Sequence, residues 1–153
     1  MRQVIDLTLD NSFRTFLYPK HEPQQSESIT VTPHMNMLVV DDNINLRQTL
    51  KDQFINEEFD VDTAEDGEIA LEMMQKKHYD IILLDVMMPK MDGLEVLKEM
   101  KKINRLPHVI MLSALNDLPT AKKCVELGAK DYISKPYEPE ELLHVVIKAL
   151  GSH

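Results

Sequence analysis

Only one of the 153 residues is cysteine, Cys124, so neither a disulfide framework nor a Cys-based zinc site can form within one chain. Positive charge is scarce as well. The formal net charge of −9 repels nucleic acid phosphates and anionic membranes, which argues against nucleic acid or membrane partners bound through a basic surface. No apolar run is long enough to cross a bilayer, and the first ten residues, MRQVIDLTLD, place Asp6 and Asp10 where a secretory signal keeps an unbroken hydrophobic segment. A soluble, cytoplasmic chain is the expectation. The four glycines stand at 67, 93, 128 and 151, so the loop after the first candidate strand lacks the glycines of a phosphate cradle, which counts against a flavodoxin-like nucleotide binder. What remains is ample for one core: 43% of the residues are hydrophobic, enough for a single domain with an appendage.

From residue 37 onward, apolar runs alternate with helical patterns at a repeat of about 22 residues, the rhythm of successive strand-helix units. The strand candidates are MLVV (37–40), FDVDT (59–63), DIILL (80–84), HVIML (108–112) and KDYIS (130–134). The first, third and fourth are continuously apolar, as expected of strands covered on both faces. The second alternates Phe59, Val61 and Thr63 with Asp60 and Asp62, which suits an edge. Leu46, Leu50 and Phe54 share one face of the first helix, and Leu97 and Met100 do the same in the third. Gly128 stands where a helix following Ala121, Cys124 and Val125 would end, and Pro139, Glu140 and Glu141 suit the start of the last helix. The pattern predicts an α/β fold, a doubly wound five-stranded parallel sheet of order 2-1-3-4-5, flavodoxin-like.

In that order, ligands bind beyond the carboxyl ends of the strands, where the chain reverses between strands one and three. Strand three runs there into Asp85, strand one into Asp41 and Asp42, strand four into Ser113 and Ala114, and strand five into Ser134, Lys135 and Pro136. Three carboxylates this close raise one another's pKa and call for a cation. Hard oxygen ligands without His or Cys suit Mg²⁺. A carboxylate free to act as nucleophile beside a metal, a lysine and a hydroxyl suits phosphoryl transfer, with an aspartyl phosphate as product.

Four fragments, VVDDN (39–43), LLDVMMPKMDG (83–93), LSA (112–114) and KP (135–136), in this order and each at a predicted strand end, resemble the CheY-like receiver domain of two-component response regulators. The resemblance covers residues 36–150. It implies that Asp85 is the phosphoacceptor, charged by a sensor histidine kinase, a phosphotransfer protein or a small phosphodonor. It further implies that Asp42 binds Mg²⁺ directly, that Asp41 acts through water, and that the Met87 backbone carbonyl and an Asp85 oxygen complete the protein's share of the shell. Lys135 and Ser113 match the groups that bind phosphoryl oxygens, and Tyr132 matches the switch aromatic. Pro136 fits a Lys-Pro step that is often cis. A kinase is expected near helix one, and a downstream protein target on helix four, strand five and helix five. Such a domain assists its own phosphorylation and slow dephosphorylation and is not a turnover enzyme. Serine stands at 113 where threonine is commoner, and the apolar Met87 cannot hydrogen-bond an attacking water, which implies a long-lived aspartyl phosphate.

Plainer roles compete at several positions. Adjacent acids before a helix, such as Asp41 and Asp42, often cap it. Asp92 and Gly93 read as the opening of helix three, the ten methionines as core filler, and none of the six histidines receives a role. A Mg²⁺-dependent phosphohydrolase with an aspartate nucleophile is the alternative, but it wants a second Asp where Met87 stands. Residues 1–35 lie outside the resemblance: VIDLTL alternates like a strand, whereas Ile5, Leu9, Phe13 and Phe16 could share a helical face, and PKHEPQQSES reads as a linker. His34-Met35 and the tail 151–153 resemble cloning remnants, so the segment is either a fusion or a natural extension. With no output domain after Leu150, the expectation is a stand-alone or excised receiver that signals by protein contact.

Overall fold

The computed structural model describes residues 34–103 and 106–151. The expectations for residues 1–33 and for Ser152 and His153 lie outside them. Five strands alternate with five helices: β1 (Asn36–Val40), α1 (Ile44–Asn56), β2 (Asp60–Ala64), α2 (Gly67–Lys76), β3 (Ile81–Asp85), α3 (Gly93–Met100), β4 (His108–Ser113), α4 (Leu118–Glu126), β5 (Asp131–Ser134) and α5 (Pro139–Leu150). All neighbouring strands are parallel, in the order β2-β1-β3-β4-β5. The expected topology is the observed one.

Strand side chains alternate between faces, and each face has its own core. Leu38, Val40, Ile82, Leu84, Val109 and Met111 pack with Ala70, Val96, Leu97, Met100 and Cys124 of α2, α3 and α4. Met37, Val39, Ile81, Leu83, Ile110 and Leu112 pack with Leu50 and Phe54 of α1 and Leu142 and Val146 of α5. Every residue of β3 is buried, which explains its unbroken apolar run. At roughly 1.5–3 kcal/mol for each fully buried aliphatic side chain, this strand holds the middle of the sheet firmly and fixes what stands at its end.

Strand bounds shift by a residue where side chains outside the sheet imitate its period. Phe59 does not open β2: it packs edge-on against Phe54, with ring centroids 5.5 Å apart, after a turn in which Glu58 takes φ 70°. Asp85 and Ser113, expected just beyond their strands, are the last residues of β3 and β4. Helix starts carry short polar caps. Asp66, Asp92 and Asp117 accept from backbone N–H groups of α2, α3 and α4, and Asp92 forms a reciprocal pair with Glu95. Capping by Asp41 or Asp42 is corrected: Asn43 caps α1, accepting from the N–H groups of Asn45 and Leu46. Gly128 leaves α4 at φ 107°, the left-handed conformation its position predicted.

Candidate functional site

The crevice at the reversal point, between the carboxyl ends of β1 and β3, gathers three acids. Ligand-capable oxygens of Asp41, Asp42 and Asp85 all lie within 4.8 Å of one another. Asp41 and Asp85 are buried, at 1% and 5% exposure, whereas Asp42 is open to solvent. Lys135, the first residue beyond β5, reaches across and donates from Nζ to Asp41 Oδ2 at 2.9 Å, with Asp85 Oδ1 at 3.5 Å. Its backbone N–H donates to the carbonyl of Ser113 at 2.7 Å, and the Lys135–Pro136 bond is cis.

Asp41 is held tightly. Its Oδ1 accepts from Asn43 N–H at 2.9 Å and its carbonyl from Arg47 Nη1 at 2.8 Å. Asp85 is held less completely, accepting at Oδ1 from the Met87 N–H at 3.3 Å. The loop behind it is fixed by Val86, whose N–H donates to Leu112 and whose carbonyl accepts from Gly93. Gly93 is required there, because a Cβ would stand 2.4 Å from the Asp85 carbonyl oxygen. Burial pushes the Asp85 carboxyl up to about 6, and Asp41 adds to the rise; Lys135 and the Met87 N–H counter it in part, while Asp42 raises it a little further. The lysine alone does not neutralise the cluster.

Met87 turns its side chain outward, at 54% exposure, so no polar side chain stands two residues past Asp85. Ser113 is fully buried, and its Oγ accepts from Leu115 N–H at 2.9 Å. Tyr132 donates its hydroxyl to the Leu115 carbonyl at 2.6 Å. Ser113 and Tyr132 therefore grip opposite ends of one residue, Leu115. The nearby Tyr137 buries a hydroxyl that has no hydrogen-bond partner among the described residues, and burial first, then Asp41, pushes it up to about 12.

The expected site residues Asp41, Asp42, Asp85 and Lys135 are thus brought together, with Ser113 at the adjacent strand end. Sequence reasoning missed Asn43 and Arg47. The signal for both was available, a capping residue and a cation one turn apart after the paired acids, but adjacent carboxylates were the stronger candidates for the cap. The donor set fits a hard divalent cation: three carboxylates, no nitrogen or sulfur among them, and more negative charge than one lysine offsets.

Residues 37–147 match the family model described as the response regulator receiver domain. Among curated proteins, a probable transcriptional regulator of Cyanophora paradoxa is 45% identical over 106 residues, 69% of this chain and 44% of that protein. The regulatory protein AtoC of Escherichia coli is 37% identical over 114 residues, 74% of this chain and 25% of that protein. The chain therefore spans less than half the length of these relatives. Among solved structures, the chemotaxis protein CheY4 of Vibrio cholerae superposes with a TM-score of 0.72 at 31% identity, covering 76% of this chain and 99% of that one. The CheX–CheY–BeF₃–Mg²⁺ complex from Borrelia burgdorferi gives 0.72 at 37% identity, covering 74% and 87%.

Proposed function

Since the chain belongs to the response regulator receiver domain family, we propose that it is a cytoplasmic phosphoacceptor in a two-component pathway, with Asp85 as the residue that takes the phosphoryl group. The observation that supports this most is the convergence of a buried, incompletely neutralised Asp85 with Asp41, Asp42 and Lys135 at the end of the central strand. Asp42 and Asp85, the Met87 carbonyl and, through water, Asp41 would hold Mg²⁺. When bound, that ion offsets the negative charge of the carboxylates and of the incoming phosphoryl oxygens.

An Asp85 carboxylate oxygen attacks phosphorus in line. A P–O bond to Asp85 forms as the P–N bond of a phosphohistidine breaks, and the electron pair leaves on the imidazole nitrogen. Lys135 Nζ, already 3.5 Å from Asp85 Oδ1, takes one phosphoryl oxygen. The Ser113 hydroxyl takes another. Its turn toward the phosphoryl group loosens its hold on Leu115, which shifts the population of Tyr132 and of the α4-β5-α5 surface offered to a protein target. A sensor kinase or phosphotransfer protein docks near α1. The chain's role is to store and report the group, not to turn over substrate, and the excess negative charge supports readout by protein contact. Residues 36–150 are the proposed receiver.

The test is incubation with Mg²⁺ and acetyl phosphate, followed by intact mass and a hydroxylamine challenge. One added phosphoryl group, released by hydroxylamine and absent in Asp85→Asn, is expected. Continuous turnover of assorted phosphate esters, or equal labelling of Asp85→Asn, would contradict it.

A further inference from the structure

Arg47 plays no part in the reading above, yet its guanidinium donates from Nη1 to the Asp41 carbonyl at 2.8 Å. It does so from the first turn of α1, six residues along the chain, while itself half-buried. That carbonyl is the first beyond β1, where the regular ladder has ended. The other polar atoms of Asp41 are also engaged by protein: its N–H by the Ala64 carbonyl, Oδ1 by Asn43, and Oδ2 by Lys135. Asn43, at the far end of the turn, is fixed by its cap on α1. Between them Asp42 is exposed, and its carboxylate makes no hydrogen bond or ion pair among the described residues.

The Asp41 carbonyl and the Asp42 N–H belong to one planar peptide unit. Holding the carbonyl therefore sets the orientation of that plane and, with it, the direction in which the Asp42 side chain leaves the backbone. We propose that Arg47 is a positioning residue for the cation: it orients the Asp41–Asp42 peptide so that the free Asp42 carboxylate faces the oxygens of Asp85. The proposal rests on the metal reading above, and it concerns an outer group that sets the aim of an inner one, a relation that is strong at metal sites generally.

Electrostatics gives this idea a sharp test, because the two effects of Arg47 have opposite signs. As a positive charge near a cation site, it repels the ion, and its removal by that effect alone tightens binding. As a positioning residue, it promotes binding, and its removal weakens it. The measurement is Mn²⁺ binding to the full chain, followed by loss of the free-ion electron paramagnetic resonance signal, with Mg²⁺ as competitor; Mn²⁺ shares the preference for oxygen ligands. Arg47→Met keeps the apolar stem and removes the donor. It is expected to weaken binding about tenfold, within the range for outer-shell partners, with no added salt to mask the sign. Arg47→Lys, which restores a cationic donor of similar reach, is expected to recover part of that loss, and a purely packing role would not respond to it. Binding by Arg47→Met that is tighter than wild type, or weaker by less than about threefold, overturns the proposal while leaving the metal site intact. Absence of binding to the wild-type chain overturns the metal reading and this inference with it.

Discussion

Burial, and then the neighbouring Asp41, raise the Asp85 carboxyl to about 6, so without a cation the folded chain binds this proton more tightly than the unfolded chain does. Below the unfolded value, near 4, the group costs nothing; as pH rises to 6 the folded state loses stability relative to one without the charge, and above 6 the loss is complete. Asp85→Asn in metal-free buffer is therefore expected to be more stable than wild type by about 1–2 kcal/mol at pH 7.5, a value reduced because the carboxylate opens on a solvated crevice. Denaturant midpoints at pH 7.5 and pH 4 should show the gain at the first and its near absence at the second; an equal gain at both would contradict it. Met87 makes a separate prediction. Its outward, apolar side chain offers no hydrogen bond to an attacking water, so Met87→Asn is expected to speed loss of phosphate from Asp85, read as the decay of the phosphorylated mass. An unchanged half-life would remove Met87 from the account.

The loop from β3 into α3 holds Asp85 by backbone contacts, and its weakest tolerance is at Gly93. A methyl group there meets the Asp85 carbonyl at 2.4 Å and Val86 Cα at 2.9 Å, backbone atoms that cannot step aside. Gly93→Ala is expected to cost at least about 2 kcal/mol by overpacking, measured by urea unfolding. Asn43→Ala should cost about 1 kcal/mol through the lost α1 cap, and the same change in Asp42 should not, since Asp42 does not cap. This element also shows what the sequence conveyed and what it withheld. Continuous apolar runs placed β1, β3 and β4 in the middle of the sheet, because burial on both faces leaves that pattern directly. Three consecutive residues, Asp41, Asp42 and Asn43, all have capping side chains, and only the third accepts from the first N–H groups of α1: Lys135, distant in sequence, and the Asn43 N–H take the oxygens of Asp41. Phe59 was read into β2 because packing against Phe54 obeys the same alternation as a strand. For Arg47 the sequence shows a cation one turn beyond the paired acids, but not its partner, since a hydrogen bond to a backbone carbonyl depends on the turn's shape.

At the scale of the whole molecule, a sheet covered on both faces ends in one rim where charge is concentrated and incompletely balanced. A cation that binds the folded chain alone must stabilise it in proportion to the logarithm of its concentration, so the thermal midpoint is expected to rise with Mg²⁺ and to rise less in Asp85→Asn. The order of strands and the meeting of Asp41, Asp42, Asp85 and Lys135 were legible from strand ends once the sheet order was known. The coupling of Ser113 to Tyr132 through Leu115 was not, because it runs through one residue's main-chain atoms. In the proposed function that coupling would carry a change at one carboxylate to a surface elsewhere, and the proposal turns on which residue is modified. The most direct measurement treats the chain with Mg²⁺ and acetyl phosphate, reduces the product with borohydride, and maps peptides by mass. Reduction converts an aspartyl phosphate to homoserine, and conversion at position 85 alone is the predicted result. Homoserine at position 41 or 42, or phosphate recovered on a histidine with Asp85 unchanged, would contradict the account.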